Sequence, residues 1–251
     1  MYKSVLITGG AQRIGKSIAE YLGGLGYNIA IQYYKSHESA KKLQKHFKSL
    51  DVKFSSYKFN LEDSRDINQF HENILNDFGD IDILINNAST FEFDTLMNSN
   101  EKKFDKHINV NLKAPFFLSK SFVSGLKKKK GIIINILDQR VKNITPYFTS
   151  YTISKTALYS LTKSLSMSLA PNIRVNGISP GPTLMSKNQS KEQFKKQVLR
   201  TPLKTQVKLS EINAGISYLL DNQSITGEVL TLDSGQSLGW AHSKSKIFET
   251  D

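Results

Sequence analysis

Seven short apolar runs rich in β-branched residues recur along the chain: Val5–Thr8, Asn28–Gln32, Lys53–Tyr57, Ile81–Ile85, Ile132–Leu137, Ile173–Ile178 and Val229–Leu232. Most are separated by stretches of helical periodicity. Such alternation predicts strands joined by helical crossovers, and therefore a parallel sheet. Runs that are apolar on both faces, such as Ile81-Asp82-Ile83-Leu84-Ile85, suit a sheet covered by helices on each side. The expected fold is a single α/β domain over residues 1–251, a Rossmann-type doubly wound parallel sheet of about seven strands with helices on both faces. At 251 residues, 39% of them hydrophobic, the chain is long enough to bury one full core.

Composition excludes several classes of chemistry. There is no cysteine, so disulfides, thiolate catalysis and cysteine-ligated zinc are ruled out. His37, His46, His71, His107 and His242 show no ligand spacing; surface or packing roles are expected and no metal is predicted. Met1-Tyr2-Lys3-Ser4 runs directly into Val5-Leu6-Ile7, which leaves no room for a signal peptide, and a cytoplasmic protein is expected. No apolar stretch approaches the ~20 residues needed to cross a bilayer, so no membrane partner is expected. The net charge of +12 would steer anionic ligands. Its one dense run, Lys127 to Lys130, precedes Gly131 and fits cations at a helix C-terminus, the alternative being a polyanion patch; a nucleic-acid partner is not expected. The least regular segment, residues 180–203, carries Pro180, Pro182 and Pro202 around a lysine-rich stretch and reads either as a substrate lid or as a disordered surface loop.

The first strand leads into Thr8-Gly9-Gly10-Ala11-Gln12-Arg13-Ile14-Gly15, and Lys16–Leu25 then reads as an amphipathic helix. Gly9, Gly10 and Gly15 would let backbone approach a pyrophosphate, and a helix N-terminus offers unpaired N–H groups and a positive dipole end. Units that bind NAD place an acidic residue about 20 positions on, against the ribose. Here the second strand ends Gln32-Tyr33-Tyr34-Lys35-Ser36, with a cation and a hydroxyl instead. Lys35 and Ser36, together with Arg13, suit a 2′-phosphate, which makes NADPH the expected cofactor; Lys35 as a solvated loop lysine is the alternative.

Tyr151 and Lys155 lie four apart within a helical stretch, Ser150 to Leu169, and so share a face. An ammonium beside a phenol favours phenolate and eases proton transfer, although such a pair also occurs as two ordinary helix residues.

Thr8–Gly15, Asn86-Asn87-Ala88-Ser89, Asn111, the Tyr151–Lys155 pair and Pro180-Gly181-Pro182-Thr183 come in the order of the short-chain dehydrogenases/reductases. The chain resembles that family over nearly its whole length, including Ile225-Thr226-Gly227-Glu228 and Leu232-Asp233-Ser234-Gly235. The resemblance implies that Tyr151 is the general acid, that Lys155 also binds the nicotinamide ribose, and that Asn111 holds a helix and a proton-relay water. It implies a cofactor surface of Gly9, Gly10, Arg13, Ile14, Gly15, Tyr34, Lys35, Ser36, Asn60, Leu61, Asn87, Ala88, Ser89, Tyr151, Lys155, Pro180, Gly181 and Thr183, and a homotetramer. Two departures are specific: Arg13 replaces the middle turn glycine, and Asp138 stands where the family has its catalytic serine. Both are similar to the pteridine reductase or dihydromonapterin reductase branch, in which an aromatic, here Phe91, stacks the pterin on the nicotinamide. That places Ser89, Phe91, Asp138 and Tyr151 at the substrate.

An ionised carboxylate at the serine position would repel a developing alkoxide, whereas it can accept from the N–H groups of a pterin. The expected function is thus NADPH-dependent reduction of a pterin-type substrate, with Asp138, Tyr151, Lys155 and Asn111 catalytic. Asp138 as a mere loop cap, a reductase of carbonyl substrates such as 3-oxoacyl thioesters, and a non-catalytic NADPH-binding protein are the alternatives. Trp240 is expected either to pack on the core or to edge a neighbouring subunit's pocket.

Overall fold

A computed structural model describes residues 3–126, 130–186 and 189–239. Trp240, His242 and most of the Lys127–Lys130 run therefore lie outside the described residues. Strands β1 (Ser4–Ile7), β2 (Asn28–Tyr33), β3 (Phe54–Lys58), β4 (Ile83–Asn86), β5 (Gly131–Ile136), β6 (Ile173–Pro180) and β7 (Val229–Leu232) form one sheet. All pairings are parallel, in the order β3-β2-β1-β4-β5-β6-β7. The expected doubly wound sheet is present, and its order reverses between β1 and β4. Ile81 and Asp82 precede β4 rather than begin it.

The period of two within each central strand sorts the core onto two faces. Val5, Ile7, Ile83, Ile85, Ile132 and Ile134 point towards helices α1 (Arg13–Gly24), α2 (His37–Phe47) and α8 (Leu209–Asp221). Leu6, Leu84 and Ile133 point the other way, towards α3 (Ile67–Phe78) and α5 (Ala114–Gly125), with Leu165 of α6 (Thr149–Ser168) at the edge of that cluster. Ile83, Leu84 and Ile85 are wholly buried, and each such side chain contributes roughly 1.5–3 kcal/mol of burial.

Two shorter α-helices also lie among the described residues. Helix α4 (Glu101–Ile108) begins where the Asn100 side chain accepts from Lys103 N at 3.0 Å. Helix α7 (Lys191–Leu199) lies inside the 180–203 segment, so that stretch is partly regular. A capping box starts it, Ser190 and Gln193 each bonding the other's backbone N–H, a local signal that the surrounding prolines and lysines masked. Among the described residues no helix is long and apolar enough to cross a membrane.

Candidate active site

Where strand order reverses, the connections leave β1 and β4 in opposite directions and open a crevice beyond the carboxyl ends of the strands. The Thr8–Gly15 turn follows β1, Asn87–Phe91 follows β4, Asp138 follows β5 and Gly181–Thr183 follows β6, so that one edge of the sheet carries them all.

The glycine turn is closely packed. Gly9 adopts φ +60°, and a Cβ on Gly15 would lie 2.4 Å from the Gly9 carbonyl oxygen. Gln32 accepts from Gly9 N through Oε1 at 2.9 Å. Asn87 Nδ2 donates to the carbonyls of Thr8 (2.9 Å) and Gly9 (3.2 Å), while Thr8 Oγ1 accepts from Asn87 N and Ala88 N, tying the turn to the end of β4. Ile14 is half-buried in the first turn of α1. This backbone cradle would be filled by side chains at its glycines, and it fits a pyrophosphate.

Arg13 sits at φ 55°, in the left-handed region, and donates to the carbonyls of Met185 (2.9 Å) and Leu184 (3.2 Å). It thus joins the turn to the segment after β6. Lys35 is exposed, its ammonium 5.6 Å from the centroid of the exposed Tyr34 ring, and Ser36 precedes α2 without capping it. Gln12 Nε2 donates to Ser39 Oγ at 2.9 Å, which keeps the start of α2 beside the turn.

Asn60 and Leu61 follow β3; Asn60 Oδ1 accepts from Glu62 N, and Leu61 is buried in the second core face. Asn60 also borders an open cavity of about 660 Å³ lined by Asp63, Arg65, Lys102, Asp105 and Lys113. That cavity touches none of Asp138, Tyr151 or Lys155, and the reactive groups lie elsewhere. Pro180 closes β6 opposite Leu232, a Cβ on Gly181 would lie 2.7 Å from Asp233 Cα, and Thr183 Oγ1 donates to Gly181 O.

Tyr151 and Lys155 occupy the first turns of α6 and are buried. The Tyr151 hydroxyl donates to Asp138 Oδ2 at 2.9 Å. Asp138 Oδ1 accepts from Arg140 N at 2.9 Å, so this carboxylate both caps the short turn Gln139–Val141 and holds the phenol. Burial first, then the charge of Asp138 and the bond it accepts, keep the phenol well above its usual pKa near 10. The Lys155 ammonium donates to Ile136 O at 2.8 Å and lies 6.0 Å from the Tyr151 ring centroid. Burial pushes Lys155 down to about 8 from 10.5, with Asp138 opposing.

Asn111 lies buried in a π-helical turn, Asn109–Lys113, between α4 and α5. Its Oδ1 accepts from Thr90 N (2.8 Å) and Ser89 Oγ (3.2 Å), and its Nδ2 donates to Thr90 O and Ser154 Oγ, both at 3.0 Å. The wider turn aims one side chain at both the loop after β4 and α6. Phe91 lies edge-on to Tyr151, with centroids 4.7 Å apart.

Sequence reasoning missed the groups behind these. Phe91 stacks on Phe148, with centroids 4.4 Å apart and planes 7° from parallel. Phe148 holds φ 59°, a strained conformation for a bulky residue, fixed by Phe148 N donating to Asp94 O (2.7 Å) and Thr152 N donating to Phe148 O (2.8 Å). Asp94 is wholly buried; Ser150 N and Oγ and Ser99 Oγ all donate to its carboxylate. Burial pushes this carboxyl up, but the bonds from Ser150 and Ser99 outweigh it and hold the pKa below the usual range.

Glu92 N donates to His107 Nε2 at 3.1 Å, which assigns the ring proton to Nδ1, 2.7 Å from Ser150 Oγ. Burial lowers the His107 pKa against the pull of Asp94. The packing role expected of His107 is thus joined to a hydrogen-bonding one. No local spacing announces these pairs, which are separated by 43 and 56 residues. Arg140, two residues after Asp138, was within reach of sequence reasoning.

A doubly wound sheet with a glycine turn at its switch point and a buried Tyr–Lys pair defines a dinucleotide-binding oxidoreductase. A family model described as enoyl-(acyl carrier protein) reductase matches residues 9–237. FolM alternative dihydrofolate reductase 1 from Brucella canis, complexed with NADP, superposes with a TM-score of 0.92 at 37% identity, covering 97% of each chain. The corresponding Brucella suis protein, in complex with NADP, gives 0.91 at 37% identity over 96% of this chain and 97% of that one. The 3-oxoacyl-(acyl-carrier-protein) reductase FabG of Buchnera aphidicola subsp. Baizongia pistaciae is 32% identical over 241 residues, 93% of this chain and 96% of its own length. The chain belongs to the short-chain dehydrogenase/reductase family.

Proposed function

We propose that the protein is an NADPH-dependent reductase of a pterin-type acceptor, a dihydropterin or a dihydrofolate-like compound. The observation that carries this reading is the Asp138 carboxylate bonded to Tyr151 beside the Phe91 ring. Likeness to the two Brucella proteins supports it. NADPH fits the glycine cradle, and Lys35 and Ser36 stand where a carboxylate would repel its 2′-phosphate. When bound, NADPH supplies the hydride.

The residues of the chain do the rest. Phe91 offers a face to a flat heterocycle. Tyr151, held protonated, gives its proton to a ring nitrogen as that nitrogen gains the electron pair of the reduced C=N bond; such a nitrogen is far more basic than a phenolate. Asp138 accepts from acceptor N–H groups, and the ammonium of Lys155 stabilises the phenolate that Tyr151 becomes. Arg13, bonded to Leu184 and Met185, ties the cofactor turn to the 180–203 segment, which forms the substrate side of the crevice in this reading.

The likeness to FabG favours a second reading, reduction of a carbonyl. The carboxyl group at this position argues against it, since an alkoxide forming at Asp138 meets acceptor oxygens in place of the donor hydroxyl of a serine. NADPH oxidation with a dihydropterin, with 3-oxoacyl thioesters and simple ketones in parallel, separates the two. The wild type turns over the dihydropterin, and Asp138→Ser lowers that turnover about 100-fold or more, in line with loss of a positioned acid–base group. Turnover of carbonyl compounds alone, retained or raised in Asp138→Ser, sinks the pterin reading.

A further inference from the structure

Arg140 stands at the mouth of the site with most of its chemistry unspent. Its Nη1 donates to Thr145 Oγ1 at 3.0 Å, leaving four of the five donors that a guanidinium carries. Among the described residues no carboxylate pairs with it. The carboxylate of Asp138, its nearest acid in sequence, meets the Arg140 backbone N–H and the Tyr151 hydroxyl rather than the guanidinium. The guanidinium carbon lies 4.8 Å from the Phe148 centroid and 6.0 Å from that of Phe91. Its charge also reaches Tyr151, where it works against that of Asp138. A half-buried, unpaired cation beside an aromatic wall and within electrostatic reach of the proton donor is placed to act on whatever lies against that wall.

We infer that Arg140 is a specificity-determining residue, binding an anionic substituent, carboxylate or phosphate, carried by an acceptor whose flat ring lies on Phe91. The inference rests on the pterin reading above and names the part of the substrate beyond the reacting ring. The ring meets Phe91, and the substituent runs past Phe148 to the guanidinium, whose planar fork matches either oxyanion with two parallel N–H···O bonds. Partial burial makes such a bond worth more than one on the open surface. The bond to Thr145 closes the loop between Asp138 and Phe148.

Steady-state kinetics with three acceptors tests this: a dihydropterin without charge on its side chain, dihydrofolate with its carboxylate tail, and a dihydropterin whose side chain ends in a phosphate ester. In Arg140→Gln, KM for a charged acceptor rises about tenfold or more relative to KM for the neutral one, the loss expected of a charge-assisted hydrogen bond, while kcat is little altered. Arg140→Lys restores part of that ratio. Thr145→Val, which removes the loop closure and keeps the guanidinium, leaves the ratio unchanged. Whichever charged acceptor responds identifies the anion as carboxylate or phosphate.

Equal loss for charged and neutral acceptors in Arg140→Gln, or the same change of ratio in Thr145→Val, overturns the inference and leaves Arg140 a loop-closing residue. If the wild type reduces no pterin at all, the reading under Proposed function falls instead.

Discussion

Lys155 carries its charge where burial penalises it, and this has a kinetic consequence. Its pKa is lowered to about 8, so the ammonium is the main form at neutral pH and is lost as pH rises through that value. Tyr151 titrates far higher and adds no limb of its own in this range. If the ammonium stabilises the developing phenolate, kcat/KM, which reports the free enzyme, falls on the alkaline side with an apparent pKa near 8. Lys155→Arg keeps a positive charge at every accessible pH, and in that variant the limb vanishes even though the rate is lower. A limb that persists in Lys155→Arg assigns the titration to another group. The Tyr151–Lys155 pair was legible because a spacing of four fixes a shared helical face whatever the tertiary structure. The partner of Lys155 was not. Ile136 O comes within reach only once β5 and α6 are packed, and this is why the carbonyl that holds the ammonium could not be read from spacing.

At the scale of elements, the site depends on how the first turn of α6 meets the loop after β4. Asp94 fixes both partners, through Ser150 in the helix and through Phe148, whose strained backbone it bonds. His107 adds α4 to the same knot through Ser150 and Glu92. Asp94→Asn preserves shape but turns an acceptor of hydrogen bonds from Ser150 and Ser99 into a partial donor. Small displacement of Tyr151 and Phe91 should then lower kcat about 10- to 100-fold, the scale on which misplacement of reacting groups acts. Ser99→Ala removes a bond to the same carboxylate without touching α6 and should change kcat less than about threefold, as a surface-side loss does. Thermal denaturation of both variants gives the comparison. If kcat falls equally in the two, or only in step with the folded fraction, Asp94 is merely structural. Strands and the long α6 were readable at this scale because apolar periodicity is local. Helix α7 was obscured by its lysines and the prolines around it, and the Asp94 knot joins segments that no window of sequence contains.

On the scale of the whole molecule, the parallel pairing of the strands followed from alternation alone, whereas which loops share the sheet's carboxyl edge with which side chains needed the folded chain. That edge gathers the glycine turn, Lys35 and Arg140 on a chain of net charge +12. A field of this sign attracts any phosphate-bearing ligand, and its reach is set by salt, since the screening length falls from ~10 Å at 0.1 M to ~3 Å at 1 M. NADPH differs from NADH by a phosphate carrying roughly two further negative charges, so it should feel both the general field and the local cation Lys35 more strongly. Raising ionic strength from about 0.05 to about 0.5 M should therefore lower kcat/KM for NADPH several-fold more than for NADH. Lys35→Gln separates the two sources: it should cost NADPH affinity about tenfold through the lost charge-assisted contact while leaving a residual salt dependence from the remaining charge. Equal salt dependence for the two cofactors would mean that the 2′-phosphate is bound outside this field, and the assignment of Lys35 would fall with it.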